Sequence, residues 1–317
     1  MDKIAILTRD CAGVNASIRS VVRTAFNRNI EVVGVLKGYD GLIDGEIIPL
    51  NRRSVSGIIN QGGTILKAAR SKRFLTESGQ KQAVQTIHDN DIDGAIVIGG
   101  NGSLTGAHIL ATQYDIPVIG IPATIDNDIN GVDLSIGSDT AVNVALDALD
   151  KIRDTATSLE RIFVMEVMGR NCGYIALQVA LAGGCEEVLV PEMDSNIEST
   201  CGEIQASHDK GKVSWIVVVA EGKAKAQDIA DIITKKTGLE TRVAVLGHIQ
   251  RGGCPTAIDR ILAARFGNYA VDALRNGTTD QCVSLKNDML TTIPLGVAIQ
   301  PKDINIDRYY RLIKILT

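Results

Sequence analysis

The chain has 317 residues, 45% of them hydrophobic and 22% charged, the make-up of an ordinary soluble globular protein. A formal net charge of −4 excludes the strongly basic surface that general nucleic-acid binding needs. The six cysteines, at 11, 172, 185, 201, 254 and 282, form no CxxC pair and no Cys/His ligand spacing, so reduced thiols of a cytosolic protein are expected, not a disulfide frame.

The first residues, "MDKIAIL", are too short for a signal peptide and run into a strand pattern. No apolar run reaches the roughly 18 residues of a membrane span. In chain order, strands are predicted at 3–7, 32–36, 94–99, 117–122, 161–167, 187–191, 215–220 and 242–247. Their continuous apolar, β-branched character suits strands covered by helices on both faces. Between them lie helix patterns. In 138–153, Ala141, Ala145, Ala148 and Ile152 recur at helical spacing, with Val144 on the same face. The ending "DINIDRYYRLIKIL" predicts a docked C-terminal helix. The alternation predicts doubly wound α/β architecture. The length exceeds the roughly 250–300 residues at which single cores split, and no low-complexity linker separates two halves. A domain boundary is therefore a crossing within compact structure.

Polar and glycine clusters follow these strands, where parallel sheets bind ligands. "LTRDCAGVN" (7–15) joins a strand to a helix, the setting of a phosphate cradle, yet holds one glycine, Gly13. "IGGNGSLTGA" (98–107) is richer: its amides and the following helix N-terminus suit a polyphosphate, or make a plain glycine turn. In "PATIDNDI" (122–129), Asp126 and Asp128 lie two apart beside Thr124. Paired carboxylates suit proton transfer and a cation, or an Asx-rich turn. "EVMGRNCG" (166–173) presents Arg170, "VVAEG" places Glu221, and "TRVAVLGHIQRGG" (241–253) carries Arg242, His248 and Arg251. Arg161 opens another strand and Arg70 follows "GGTILKAA". Guanidinium groups fit phosphate bidentately. Arginines, a carboxylate pair and a glycine loop together suit phosphoryl transfer to a phosphorylated small molecule.

"PATIDNDI", "EVMGRNCG", "AGGCE", "ETRVAVLGHIQRGG" and "DRILAARFGNYA" resemble the bacterial 6-phosphofructokinases, collinearly over nearly the whole chain. The resemblance implies two doubly wound, mostly parallel α/β domains: a nucleotide side at 1–136 plus 251–299 and a sugar-phosphate side at 137–250 plus 300–317. It implies a cytoplasmic homotetramer of glycolysis that transfers the ATP γ-phosphoryl to the 1-hydroxyl of fructose 6-phosphate, with Mg2+. By family motif, Asp126 is the base, assisted by Thr124 and Arg170, and Asp128 and Asn101 lie on the metal side. Tyr39, Arg70, Gly100, Asn101, Gly102 and Ser103 hold the nucleotide. Met168, Gly169, Arg170, Glu221, His248 and Arg251 hold the sugar phosphate, and Arg161 and Arg242 reach it from a neighbouring subunit. An effector site for ADP or phosphoenolpyruvate corresponds to Arg19, Arg23, Arg52, Arg153, Lys210 and Lys212, with Glu186 on a bound metal.

The departures from the family pattern cluster on the nucleotide side. The first loop is two residues short and carries Arg9, Asn101 replaces an aspartate, Ala123 replaces a glycine, and Lys67 stands where glycine is common. In the effector site Gly57 takes an acidic position. These departures leave a second expectation: a regulatory homologue that binds sugar phosphate or effector without turnover, assembled with an active paralogue. A third is a pyrophosphate-dependent enzyme, although Gly102 and Ala123 do not carry that signature.

Overall fold

The computed structural model describes residues 1–194 and 196–317, and alternates strand and helix from β1 (Lys3–Thr8) onwards. The chain divides into two units, Met1–Thr140 with Arg251–Lys302, and Ala141–Gln250 with Asp303–Thr317.

The first unit contains β1, α1 (Val14–Asn27), β2 (Glu31–Val35), α2 (Tyr39–Asp44), β3 (Ile47–Leu50), α3 (Glu77–Asp89), β4 (Gly94–Gly99), α4 (Asn101–Tyr114) and β5 (Val118–Pro122). The first residues of α5 (Ser138–Ser158) close this segment. The later segment adds α9 (Ala257–Arg275), β10 (Gln281–Lys286), β11 (Met289–Pro294) and α10 (Leu295–Ala298). Its sheet runs β11-β10-β5-β4-β1-β2-β3. The strands β4 and β5 are buried along their whole length, as the apolar runs predicted. Burying each Ile, Val or Leu stabilises by about 1.5–3 kcal/mol. Helix α9 lies on α1. Gly267 makes that approach possible, because a Cβ there would sit 2.6 Å from Ser20 Cβ. Thr256 caps α9 by accepting from the Asp259 N–H at 3.3 Å.

The second unit contains β6 (Ile162–Val167), α6 (Tyr174–Ala182), β7 (Glu187–Leu189), α7 (Ile197–His208), β8 (Trp215–Ala220), α8 (Ala226–Thr237), β9 (Thr241–Val245) and α11 (Ile306–Leu316). Its all-parallel sheet runs β7-β8-β6-β9. The expected C-terminal helix is α11. It packs on α6 and β7 through buried Ile306 and Ile313. Lys314 Nζ donates to the buried Glu187 and to Glu203, each at 2.8 Å.

The eight predicted strands are present, and three more flank the first sheet. β3 and β11 run antiparallel on its two edges. β10 and β11 meet through Asn287 and Asp288, both with positive φ (51° and 62°), the backbone that a two-residue hairpin demands. Among the described residues no helix is long and apolar enough to cross a membrane.

Candidate active site

Strand order decides which loops meet. In the first sheet β1 lies between β2 and β4, with Thr8 opposite Ile98 and Gly99 opposite Pro122. The chain winds out to β2 and β3 and returns on the other side of β1, so the crevice beyond the ends of β1 and β4 is a topological switch point. The loops at 9–13, 99–101 and 123–128 therefore begin side by side. Arg9 N–H donates to Ile98 O at 3.0 Å and Ala123 N–H to Gly99 O at 3.0 Å, which ties the three loops together.

At the end of β5, Thr124 Oγ1 accepts from the Asp126 N–H at 3.2 Å, and Asp126 is 2% exposed. The loop is held from behind by residues that the motif reading did not single out. Asn127, at positive φ (51°), accepts from Ser135 N–H at 2.9 Å, and its amide donates to Asp133 O at 3.1 Å. Ser135 Oγ donates to Thr124 O at 2.7 Å, and Lys302 Nζ to Asn127 O at 2.9 Å. Asp259, in the first turn of α9, is fully buried and accepts from the Gly137 and Thr140 N–H groups at the start of α5, each at 2.8 Å. Burial pushes its carboxyl up, opposed by the Thr140 hydroxyl and the two N–H donors. Such buried acceptors leave no spacing signature, since only the fold reveals which amides they meet.

Asn101 opens α4, and its amide donates to Asp128 Oδ2 at 2.8 Å. Asn101 Oδ1 and Asp128 Oδ1 are both buried with no hydrogen-bond partner. Two oxygens left this way suit a hard cation. Among the described residues no group of three or more His, Cys, Asp and Glu forms a full cage. Mg2+ keeps several waters and takes one or two carboxylates plus substrate phosphates, so this pair fits an ion that arrives with a polyphosphate. Gly102 is exposed and Gly100 packs against Thr124, where a Cβ would lie 3.2 Å from Thr124 Cβ. Tyr39 stacks on Phe74 (ring centroids 4.1 Å apart) and donates its hydroxyl to Ser103 O at 2.6 Å. Arg70 is exposed. The Cys11 thiol beneath the first loop donates to Ile136 O at 3.3 Å, and burial pushes it up, with a further push from Asp259. It packs the loop and is no nucleophile.

The departures take definite forms. Ala123 is buried in an isolated bridge with Ile136 and is not among the positive-φ residues, so its methyl strains nothing. Lys67 holds φ 60° and Gly57 φ 74°, both left-handed. Arg9 donates from Nη1 to Ala69 O.

In the second sheet β6 lies between β8 and β9, with Val167 opposite Ala220 and Glu166 opposite Val245. The loops at 168–173, 221–225 and 246–251 follow these ends. Met168 N–H donates to Gln250 Oε1 at 2.8 Å, and Gln250 is fully buried. Arg170 N–H donates to Glu221 Oε1 at 3.0 Å. Arg170 takes positive φ (53°) and Gly169 φ 141°. Gly222 has no room for a side chain, as a Cβ would lie 1.8 Å from Arg170 O. His248 is exposed and Arg251, which opens the later segment of the first unit, is half-buried; both lie in a 3-10 turn, Gly247–Arg251. Arg161 and Arg242 stand at the opposite, amino-terminal edge. Both pair with Glu240, Arg161 Nε at 2.9 Å.

The expected effector residues fall in two groups. In the first unit, Arg19 and Arg23 share α1 and lie near enough that Arg23, after burial, lowers the Arg19 pKa. Arg23 Nε is buried with no partner, and Arg52 lies 5.2 Å from the Phe26 ring centre. In the second, Glu186 accepts from Ile216 N–H at 2.8 Å and pairs with Lys212 at 2.9 Å. Arg153 donates to Gly183 O at 2.5 Å and to Gly184 O at 3.0 Å, and Lys210 is exposed.

Residues 3–274 match the family model described as phosphofructokinase. An ATP-dependent 6-phosphofructokinase of Clostridium tetani is 48% identical over 319 residues, and one of Thermotoga petrophila 45% over 319, each with 100% of both chains covered. The structure of phosphofructokinase from Saccharomyces cerevisiae superimposes with a TM-score of 0.88 at 32% identity, covering 94% of this chain and 45% of that one. A chain with these strand-end loops and this likeness along its whole length belongs to the phosphofructokinase family.

Proposed function

We propose that the protein is an ATP-dependent 6-phosphofructokinase, transferring the γ-phosphoryl group of ATP to the 1-hydroxyl of fructose 6-phosphate. The observation that carries the reading is the end of β5, where the buried Asp126 sits on a braced loop and Asp128 pairs with Asn101. Asp126 takes the proton of the attacking hydroxyl as its oxygen bonds to the γ-phosphorus and the bond from that phosphorus to the β–γ bridging oxygen breaks, releasing ADP. Thr124 and Arg170 stabilise charge on the moving phosphoryl group. Tyr39, Arg70 and the turn Gly100, Asn101, Gly102 and Ser103 hold the nucleotide. Met168, Gly169, Glu221, His248 and Arg251 hold the sugar phosphate, and Arg161 and Arg242 serve a neighbouring subunit's sugar phosphate. Asp128 and Asn101 hold Mg2+, which when bound neutralises phosphate charge.

The enzyme works in the cytoplasm as a homotetramer. ADP or phosphoenolpyruvate is its effector, held by Arg19, Arg23, Arg52, Arg153, Glu186, Lys210 and Lys212. The unpartnered Arg23 Nε supports an anion there. The buried Asp126 on its braced loop and the unpartnered oxygens of Asn101 and Asp128 support turnover rather than a non-catalytic homologue.

The test is purified protein with fructose 6-phosphate, Mg2+ and a panel of donors including ATP and pyrophosphate. Fructose 1,6-bisphosphate is expected with ATP. No product above an Asp126→Ala control with any donor would sink the proposal, and product with pyrophosphate alone would replace the donor.

A further inference from the structure

We propose that Arg9 is a contact for the phosphates of the donor nucleotide, supplying positive charge that reduces the site's dependence on Mg2+. The inference rests on the ATP-dependent reading above.

Position comes first. Arg9 is the first residue beyond β1, at the switch point, with its N–H on Ile98 O. Its neighbour across the crevice is the Gly99–Gly102 turn that opens α4. The side chain runs across that turn: its Cγ lies 3.1 Å from where a Cβ on Gly99 would stand. Its Nη1 donates to Ala69 O, so the guanidinium is held one residue from Arg70. Arg9 is half-buried.

Charge comes second. The metal-side pair, Asn101 and Asp128, carries one formal negative charge and offers two unpartnered oxygens. A neutral amide binds a divalent cation less strongly than a carboxylate does. Arg9 brings a guanidinium to the same crevice. Asp10, the next residue, carries its carboxylate towards Gly63, 3.5 Å from where a Cβ there would stand. A guanidinium is always charged and matches phosphate oxygens with paired N–H donors. Had this position needed only a filler, an apolar chain of the same length would have covered Gly99. The carbonyl anchor instead orients a cation.

The experiment is calorimetric titration of the full-length protein with ATP, once in excess chelator and once with Mg2+. Two variants remove the charge. Arg9→Met keeps the stem, and Arg9→Gln keeps a donor for the Ala69 carbonyl, guarding against loss of the loop fold. Each should weaken metal-free ATP at least about tenfold, the scale of a charged hydrogen bond, and weaken the Mg2+ complex less. The ratio of the two dissociation constants therefore widens. Unchanged or tighter metal-free binding in both variants overturns the inference and makes Arg9 a space-filler. If the native protein binds ATP but the ratio does not move, this inference alone falls. If the native protein binds no ATP under either condition, the donor reading falls with it.

Discussion

Main chain meets main chain at the carboxyl edges of both sheets, but the side chains that brace the two edges differ. In the first unit Arg9 N–H meets Ile98 O and Ala123 N–H meets Gly99 O, while Thr124, Asn127 and Ser135 brace the 123–128 loop with their side chains. In the second unit Glu221 N–H meets Val167 O and Leu246 N–H meets Glu166 O, while an amide and two carboxylates clamp the 168–173 loop: Gln250 on Met168, Glu221 on Arg170, and Glu192 on Gly173 at 2.8 Å. An edge made of backbone keeps its path when a rim side chain changes. Arg9 and Ala123 are tied in this way. An edge clamped by side chains depends on each acid or amide, because losing one orphans a main-chain donor.

The largest effect belongs to the base. Asp126→Ala should lower kcat about 10²–10⁴-fold in a coupled assay while fructose 6-phosphate still binds. A variant within about threefold of the native rate would remove Asp126 from the chemistry. Next comes the clamp. Gln250→Ala leaves the Met168 N–H unpartnered and should cost about 1–3 kcal/mol in denaturant unfolding, with a raised KM for fructose 6-phosphate. No loss of stability would break the contrast between the two edges.

Asn101→Asp sharpens the same contrast from the other side. It adds a carboxylate without touching the main chain and should lower the Mg2+ concentration for half-maximal rate about tenfold, an effect of ~1.4 kcal/mol. An unmoved Mg2+ dependence would take Asn101 off the metal side. The smallest effect is Lys67→Gly. Lys67 holds φ 60°, which costs a non-glycine residue about 1 kcal/mol, so the variant should unfold at higher denaturant. A less stable variant would mean that the Lys67 side chain contributes more than its backbone costs.

Much of this was legible from residue order. Buried strands such as 94–99 and 215–220 read as continuous apolar runs, and the polar clusters followed them because parallel strands deliver their loops to one edge. β3 was not legible, being four residues with Pro49 inside. β11 was hidden because a half-buried edge strand alternates weakly, β10 because Gln281, Ser284 and Lys286 interrupt its apolar run, and their Asn287–Asp288 turn lacks the glycine that usually marks it. At the site, Asp126 and Asp128 announced themselves by spacing. Gln250, Asn127, Ser135 and Asp259 did not, since a buried acceptor is recognised by the N–H it meets and not by its neighbours in sequence. Arg9 stood out early as the odd residue of a glycine-poor loop, but its anchor on Ala69 needed a strand order that brings residues 60 apart together.

The first unit is interrupted: its opening segment ends at Thr140 and its remainder begins at Arg251. Helix α9, which lies on α1, is in that remainder. The second unit in turn needs Asp303–Thr317 for α11. On the ribosome, at about 5–20 residues per second, α1 is made long before its covering helix exists. The core of the first unit cannot close until nearly all of the chain has emerged, since it includes Cys282, Leu295 and Ala298. The apolar face of α1 therefore waits uncovered during synthesis, a span in which a nascent-chain chaperone has a surface to hold.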